Sequence, residues 1–330
     1  LSQETSIEWT HRPGTIGATW NPVVGCNRVS PGCLHCYAEV MAARIANAAV
    51  ARPEAERTPT QRAYMEAVKW RDGKALPRWS GKAILIPDKL SEPLRRKRPT
   101  TYFVNSMSDL FHETLSFEQI AAMFGVMWAS REHTHLILTK RPGRAAEWFE
   151  WAASQLGRSA ILTCIDAMQK LGISWPAGLL WEWPLPNVEL GTSVENQETA
   201  DERIPHLLRC PAAVRFISYE PALGPAYFGG ERGAIGCYVP DTAKRKAADR
   251  WRGPFRGSAR RGIDQIIIGG ETGAGHRPMD VAWVESVDQQ TREAGVALFV
   301  KQDSGPRPGA QGHIPDRLWA RKEFPEPRHA

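Results

Sequence analysis

Short β-branched runs recur along this chain at intervals that leave room for a helix between them. They are Ala18 to Val24, Ala83 to Pro87, Thr101 to Asn105, His135 to Thr139, Val188 to Thr192, Arg215 to Tyr219, Gln265 to Gly269 and Ala297 to Lys301. Most are apolar at consecutive positions, as in Ile266-Ile267-Ile268, which suits parallel strands buried on both faces better than a half-exposed sheet. The stretches between them read as helices. Ser116 and Gln119 form a capping box ahead of Ile120, Met123, Phe124, Met127 and Trp128, an apolar stripe at helical spacing. Strands alternating with helices predict a parallel α/β fold, and eight repeats favour a (β/α) barrel, complete or partial, over an open doubly wound sheet. Ala83 to Pro87 is the weakest member, since about 14 residues to the next strand are too few for a full crossover helix. The 330 residues suit one barrel domain over 1–330, with insertions near 53–79 and 231–262.

No apolar run approaches the roughly 20 residues that span a bilayer, and the first residues lack the basic and apolar regions of a signal peptide. A cytoplasmic protein with no membrane partner is expected. Three of the six cysteines cluster, which reads as a metal loop in a reducing compartment rather than a disulfide framework. Cys164, Cys210 and Cys237 stand alone and read as buried small hydrophobes.

The net charge of +6 is uneven. Residues 231–262 hold nine cations against three acids, a net +6, which leaves the remainder balanced at 33 against 33. Lys244, Arg245, Lys246, Arg250, Arg252, Arg256, Arg260 and Arg261 therefore point to an anionic partner, with DNA, RNA or a nucleotide substrate reached through 244–261.

The cysteine cluster lies in Gly25-Cys26-Asn27-Arg28-Val29-Ser30-Pro31-Gly32-Cys33-Leu34-His35-Cys36. Pro31-Gly32 supplies a turn that folds the first cysteine back over the last pair. Three thiolates leave one coordination position open, whereas structural zinc sites close with four protein ligands; a 4Fe–4S cluster on three thiolates keeps one iron free.

In a barrel the active site lies at the C-terminal rim, where the residues after each strand carry chemistry. Here those segments are polar: Asn105-Ser106-Met107-Ser108-Asp109, Lys140-Arg141-Pro142, Ser193-Val194-Glu195-Asn196, Glu220-Pro221, Gly269-Gly270-Glu271-Thr272-Gly273 and Lys301-Gln302-Asp303. In the glycine run, small residues allow close backbone approach to a ligand, and the adjacent carboxylate can accept from an ammonium group.

With these blocks the chain is similar to a phage-associated family of radical SAM-like proteins, mostly of unassigned substrate. The resemblance rests on Thr5 to Thr10, Thr19-Trp20-Asn21-Pro22, the cysteine loop with Tyr37-Ala38-Glu39, Phe103 to His112, Leu138 to Pro142 and Gly191 to Asn196. It continues through Glu220 to Pro225, the Gly-Gly-Glu run with Arg277-Pro278-Met279, and Phe299 to Gln302. It implies a 4Fe–4S cluster on Cys26, Cys33 and Cys36, with S-adenosylmethionine chelating the fourth iron. An electron from an external donor would then release a 5′-deoxyadenosyl radical. On the same resemblance and the rim pattern, His35, Tyr37, Ser193, Glu195, Asn196, Gly269, Gly270 and Glu271 are candidate cofactor contacts, and Asn105, Asp109, Lys140, Glu220 and Lys301 candidate catalytic groups.

The chain departs from the wider radical SAM pattern in its CxxxxxxCxxC spacing and in His35, which stands where an aromatic ring usually flanks the adenine. Its Gly-Gly-Glu run falls late, and Asp303-Ser304-Gly305 follows Lys-Gln where an aromatic residue and glycine are common. Two other readings keep parts of the pattern. One is a zinc-stabilised nucleic-acid-binding protein without catalysis, using His35 or His11 as a further ligand. The other is a radical SAM enzyme acting on a peptide or small molecule.

Overall fold

A computed structural model describes residues 4–154, 160–174, 183–228 and 262–325. The basic stretch 244–261 and Cys237 lie outside the described residues.

Seven parallel strands form a curled half-barrel: β1 (Ile16–Trp20), β6 (Thr100–Val104), β7 (Thr134–Thr139), β8 (Val188–Val194), β9 (Val214–Tyr219), β10 (Gln265–Gly269) and β11 (Ala297–Gln302), side by side in that order. The expected run Ala18 to Val24 is broken at Asn21-Pro22 into β1 and a short β2 (Val23–Val24). The run at Ala83 to Pro87 does not join the sheet. It forms β5 (Ile84–Leu85), antiparallel to β2, because only short helical turns at Pro87–Leu90 and Pro93–Arg95 separate it from β6. Of the complete and partial barrels expected, the partial one is present: a half-barrel of seven strands.

Helices α4 (Phe117–Ala129), α5 (Pro142–Ser154), α7 (Gln197–Leu207) and α8 (Val281–Ala294) contribute to the core on the outer face, and the capping box at Ser116 and Gln119 starts α4. Cys164, on α6 (Ala160–Lys170), and Cys210 are buried in that core, and burial pushes the Cys210 thiol up to about 12. No described helix is long and apolar enough to cross a membrane.

Side chains alternate across each strand, so the inner face holds a second core of Trp9, Leu136, Phe216, Ile267 and Phe299. Trp9 comes from a single helical turn, Glu8–Thr10, with its ring centroid 5.0 Å from Phe103. The two open edges are covered by the chain's ends: Glu4 bridges Ala18 on β1, and Lys322 bridges Phe299 on β11. Lys322 also pairs with Glu8 at 3.0 Å. Covering both edges protects the unpaired strand groups of a sheet that does not close.

The insertion near 53–79 forms α2 (Pro59–Ala67) and a hairpin of β3 (Val68–Arg71) and β4 (Lys74–Trp79). Both pack on α1 (Tyr37–Val50) in a third cluster that includes Ala42, Ala46, Tyr64 and Trp79 and reaches Cys26 and Cys36.

His135 is fully buried on the outer face, stacked on Tyr102 at 5.5 Å with Nε2 3.0 Å from Ser130 Oγ. Burial, with His133 beside it, lowers it to about 3. Its folded value lies below its unfolded value of about 6.5, so the stability it confers is complete above pH ~6.5 and declines as pH falls towards 3. Unfolding free energies at pH 7 and pH 5 are expected to differ by about 2 kcal/mol from this proton, most of it below pH ~6.5. His135→Phe should reduce the difference by that amount, and an unchanged difference would exclude this group as its source.

Candidate functional site

The alternation that places Phe103, Leu136, Phe216 and Phe299 inside continues to the C-terminal ends of the strands. It puts Asn105, Lys140, Ser193, Glu195, Glu220 and Lys301 on the inner face of the rim. Two ion pairs, Lys140–Glu195 and Lys301–Glu220, stand on this polar inner rim.

Glu195 is its most connected member. It is 1% exposed and accepts from Lys140 Nζ, from Arg203 Nη1 at 3.0 Å and from Ser30 Oγ at 2.8 Å. Ser30 belongs to the cysteine loop, so the carboxylate anchors that loop to the sheet. Gly32 is required there, because a Cβ would stand 2.5 Å from Glu195 Oε1. Burial raises the Glu195 carboxyl, but Lys140 and Arg203 outweigh it and hold it below its ordinary range.

Two further contacts seat the loop. Arg277 donates to Pro31 O at 3.0 Å and grips Glu271, with Nη2 at 2.5 Å and Nε at 2.9 Å from the carboxylate. Arg141 points Nη1 at Cys26 Sγ, 3.8 Å away, while pairing with Asp109 at 2.9 Å and Glu113 at 2.8 Å and donating to Asn27 Oδ1.

The cysteine loop therefore lies over the rim with three free, half-buried thiols. Cys36 stands at the N-cap position of α1, where the nearby backbone N–H groups of Glu39 and Ala38 favour its thiolate, although burial dominates and raises it. Burial and Asp109 push the Cys26 thiol up to about 12 against Arg141, so a soft metal must displace a proton there. Among the described residues, no group of three or more His, Cys, Asp and Glu side chains is gathered as a metal site.

The other candidates divide. His35 is exposed beside Glu271, near the space a Cβ on Gly275 would fill. Tyr37 donates its hydroxyl to Ser106 O at 2.7 Å while its ring stays half exposed. Lys301 pairs with Glu220 at 2.5 Å, and Gln302 donates to the same oxygen at 3.1 Å. Asn105 adopts a left-handed backbone (φ 58°), and its Nδ2 is buried with no hydrogen-bond partner.

Three candidates, and Asp303 on the same rim, have structural work that their position explains. Asp109 accepts from Thr139 Oγ1, Phe111 N, Lys140 N and Arg141, which makes it the brace of Arg141. Asn196 caps α7 by a reciprocal bond with Thr199. At Gly270 the space a Cβ would need is filled by the Ser304 backbone, so that glycine serves strand packing rather than ligand approach. Asp303 accepts from His313 N at 2.7 Å and Ser304 N at 2.6 Å and organises the segment after β11.

The sequence does not single out Ser30, Arg141, Arg203 and Arg277, which tie the cysteine loop and Glu195 together; Arg141 and Arg277 stand beside polar strand-end residues, whereas Arg203 lies mid-helix with no local signal. His11 binds Thr5 O at 2.7 Å by the N-terminal half of β1, at the opposite end of that strand from the cysteine loop, so it cannot complete a cysteine site.

Searches of curated proteins and of solved structures return no match. One family model, described as "Protein of unknown function (DUF5131)", matches residues 4–313. Those residues take in the cysteine loop, all seven strands and every rim segment, and the chain belongs to the DUF5131 family.

Proposed function

We propose that this protein is a radical SAM enzyme, holding a 4Fe–4S cluster on Cys26, Cys33 and Cys36 and S-adenosylmethionine against the inner rim, with a nucleotide or nucleic acid as substrate. One observation carries the reading: three free thiols on one short loop cover the polar inner rim of a curled parallel sheet. When bound, the cluster and S-adenosylmethionine supply reductive cleavage of the sulfonium to a 5′-deoxyadenosyl radical, using an external electron donor.

The donor set suits such a group, being soft thiolates with cations beside them: Arg141 stands by Cys26, and Arg28 by Cys33 and Cys36. The unpartnered Nδ2 of Asn105 is a buried donor available to an oxygen of a bound molecule. Lys140 and Lys301 are held by Glu195 and Glu220, which fixes where each ammonium stands. Trp9 packs with Leu136, Phe216, Ile267 and Phe299, which makes the other end of the interior apolar.

Reduced, reconstituted protein should cleave S-adenosylmethionine to 5′-deoxyadenosine and methionine. Glu271→Ala should weaken binding of S-adenosylmethionine more than it lowers iron content. Equal affinity in the variant would remove Glu271 from the site and leave its pairing with Arg277 as its whole role. No cleavage by iron-loaded protein under strong reductant would overturn the reading.

A further inference from the structure

We propose that the β3–β4 hairpin is a contact for the phosphate backbone of a nucleic acid. This deepens the proposed function by naming a polymeric substrate, and it rests on that reading for the chemistry that follows binding.

The hairpin's twelve residues carry four cations, Lys69, Arg71, Lys74 and Arg78, against one acid, Asp72. All four cations are exposed, and among the described residues none is paired with a carboxylate. Elsewhere the arginines near the rim are engaged: Arg28 with Glu39, Arg141 with Asp109, Arg203 with Glu195 and Arg277 with Glu271.

The tip is built to hold like charges together. Asp72 and Gly73 turn with positive φ (49° and 71°), the two-residue geometry of a tight hairpin, and this sets Arg71 directly opposite Lys74. Like charges facing each other across a strand pair are destabilising in isolation, and an anion between them reverses the sign. Trp70, between Lys69 and Arg71, is fixed by its Nε1 donating to Met65 O at 2.8 Å, yet stays 37% exposed. Its ring borders an open groove shared with Arg57, Arg62 and Met65 and with Glu54 and Glu66. The pairs Arg71–Lys74 and Trp70–Ala75 put Trp70 on the face opposite those cations, so the cationic face alone is the contact, and a two-stranded ribbon with cations on one face suits a phosphate backbone.

The hairpin is also tied rigidly to the cysteine loop. Asn47 on α1 exchanges two hydrogen bonds with the Ala75 backbone, at 2.9 and 3.1 Å. Glu39, near the start of the same helix, accepts from Trp79 N at 3.1 Å and from Arg28 of the loop. A strand gripped by the hairpin is therefore held at a set position relative to the thiols.

The test is fluorescence anisotropy with the full chain, its iron content measured in each preparation, against three probes: duplex DNA of about 20 base pairs, the corresponding single strand and an RNA duplex. Joint Lys69→Ala, Arg71→Ala, Lys74→Ala and Arg78→Ala should weaken the best-bound probe at least tenfold at about 50 mM salt. If that probe is duplex DNA, the log-affinity against log-salt slope should flatten by up to about 3.6 units, near 0.9 for each of four phosphate contacts. Lys97→Ala with Arg98→Ala, exposed cations just before β6, should leave both unchanged. No binding of any probe by the wild type, an unchanged quadruple variant, or an equal loss in the Lys97 and Arg98 control would each overturn the proposal. Wild-type protein that binds a probe and loses that binding in the quadruple variant, yet takes up no iron on reconstitution, would count against the cluster reading alone.

Discussion

Replacing Cys33 by alanine is expected to take anaerobically reconstituted protein from about four irons per chain to almost none, with loss of the brown colour and the broad absorption near 400 nm. The size of the effect follows from the lack of a substitute among the described residues. Cys33 sits half-buried on the loop with Ser30 Oγ 3.8 Å away. Cys164 and Cys210 are sealed in the outer-face core, with thiols that burial holds protonated. Cys210→Ala should accordingly retain full iron while losing some stability. A stoichiometric, tightly held zinc in protein made under iron-replete anaerobic conditions would sink the iron-sulfur assignment and restore the zinc reading.

The second large effect is expected at Glu195. Alanine there leaves Arg203, 2% exposed, and Lys140 without their carboxylate, and removing one member of a buried ion pair costs about 3–5 kcal/mol. Urea unfolding reads this directly, and a loss below about 1 kcal/mol would show that the pair is hydrated rather than buried. Glu195→Leu combined with Arg203→Met should recover much of the loss, since it removes both charges. The pH dependence has a defined sign. Because the carboxyl is held below its unfolded value of about 4.3, its contribution is complete above that pH and is lost as pH falls through the lower folded value.

Much of this architecture was legible in the chain. Consecutive apolar residues such as Ile266-Ile267-Ile268 marked strands covered on both faces, and a capping box marked the start of α4. The strand ends identified the rim; the structure then placed Lys140, Glu195, Glu220 and Lys301 on its inner face. The false eighth strand, Ile84–Leu85, has the right composition but pairs with Val23–Val24 instead. Local composition measures how well a segment suits a strand and not which edge receives it.

The residue types and spacings alone determined the parallel α/β class, the three-thiol loop and the polar rim, because these depend on short-range periodicity and on side-chain chemistry. Tertiary structure decided the rest. That the sheet stops at seven strands with its edges covered by Glu4 and Lys322, that Trp9 packs against the inner face, and that Arg203 reaches Glu195 from mid-helix are all contacts between distant segments. Glu271 likewise reads as a free acceptor in the sequence, yet the fold gives it Arg277 as a bidentate partner. A carboxylate's availability depends on which cation the fold brings within about 3 Å, and no local pattern carries that information.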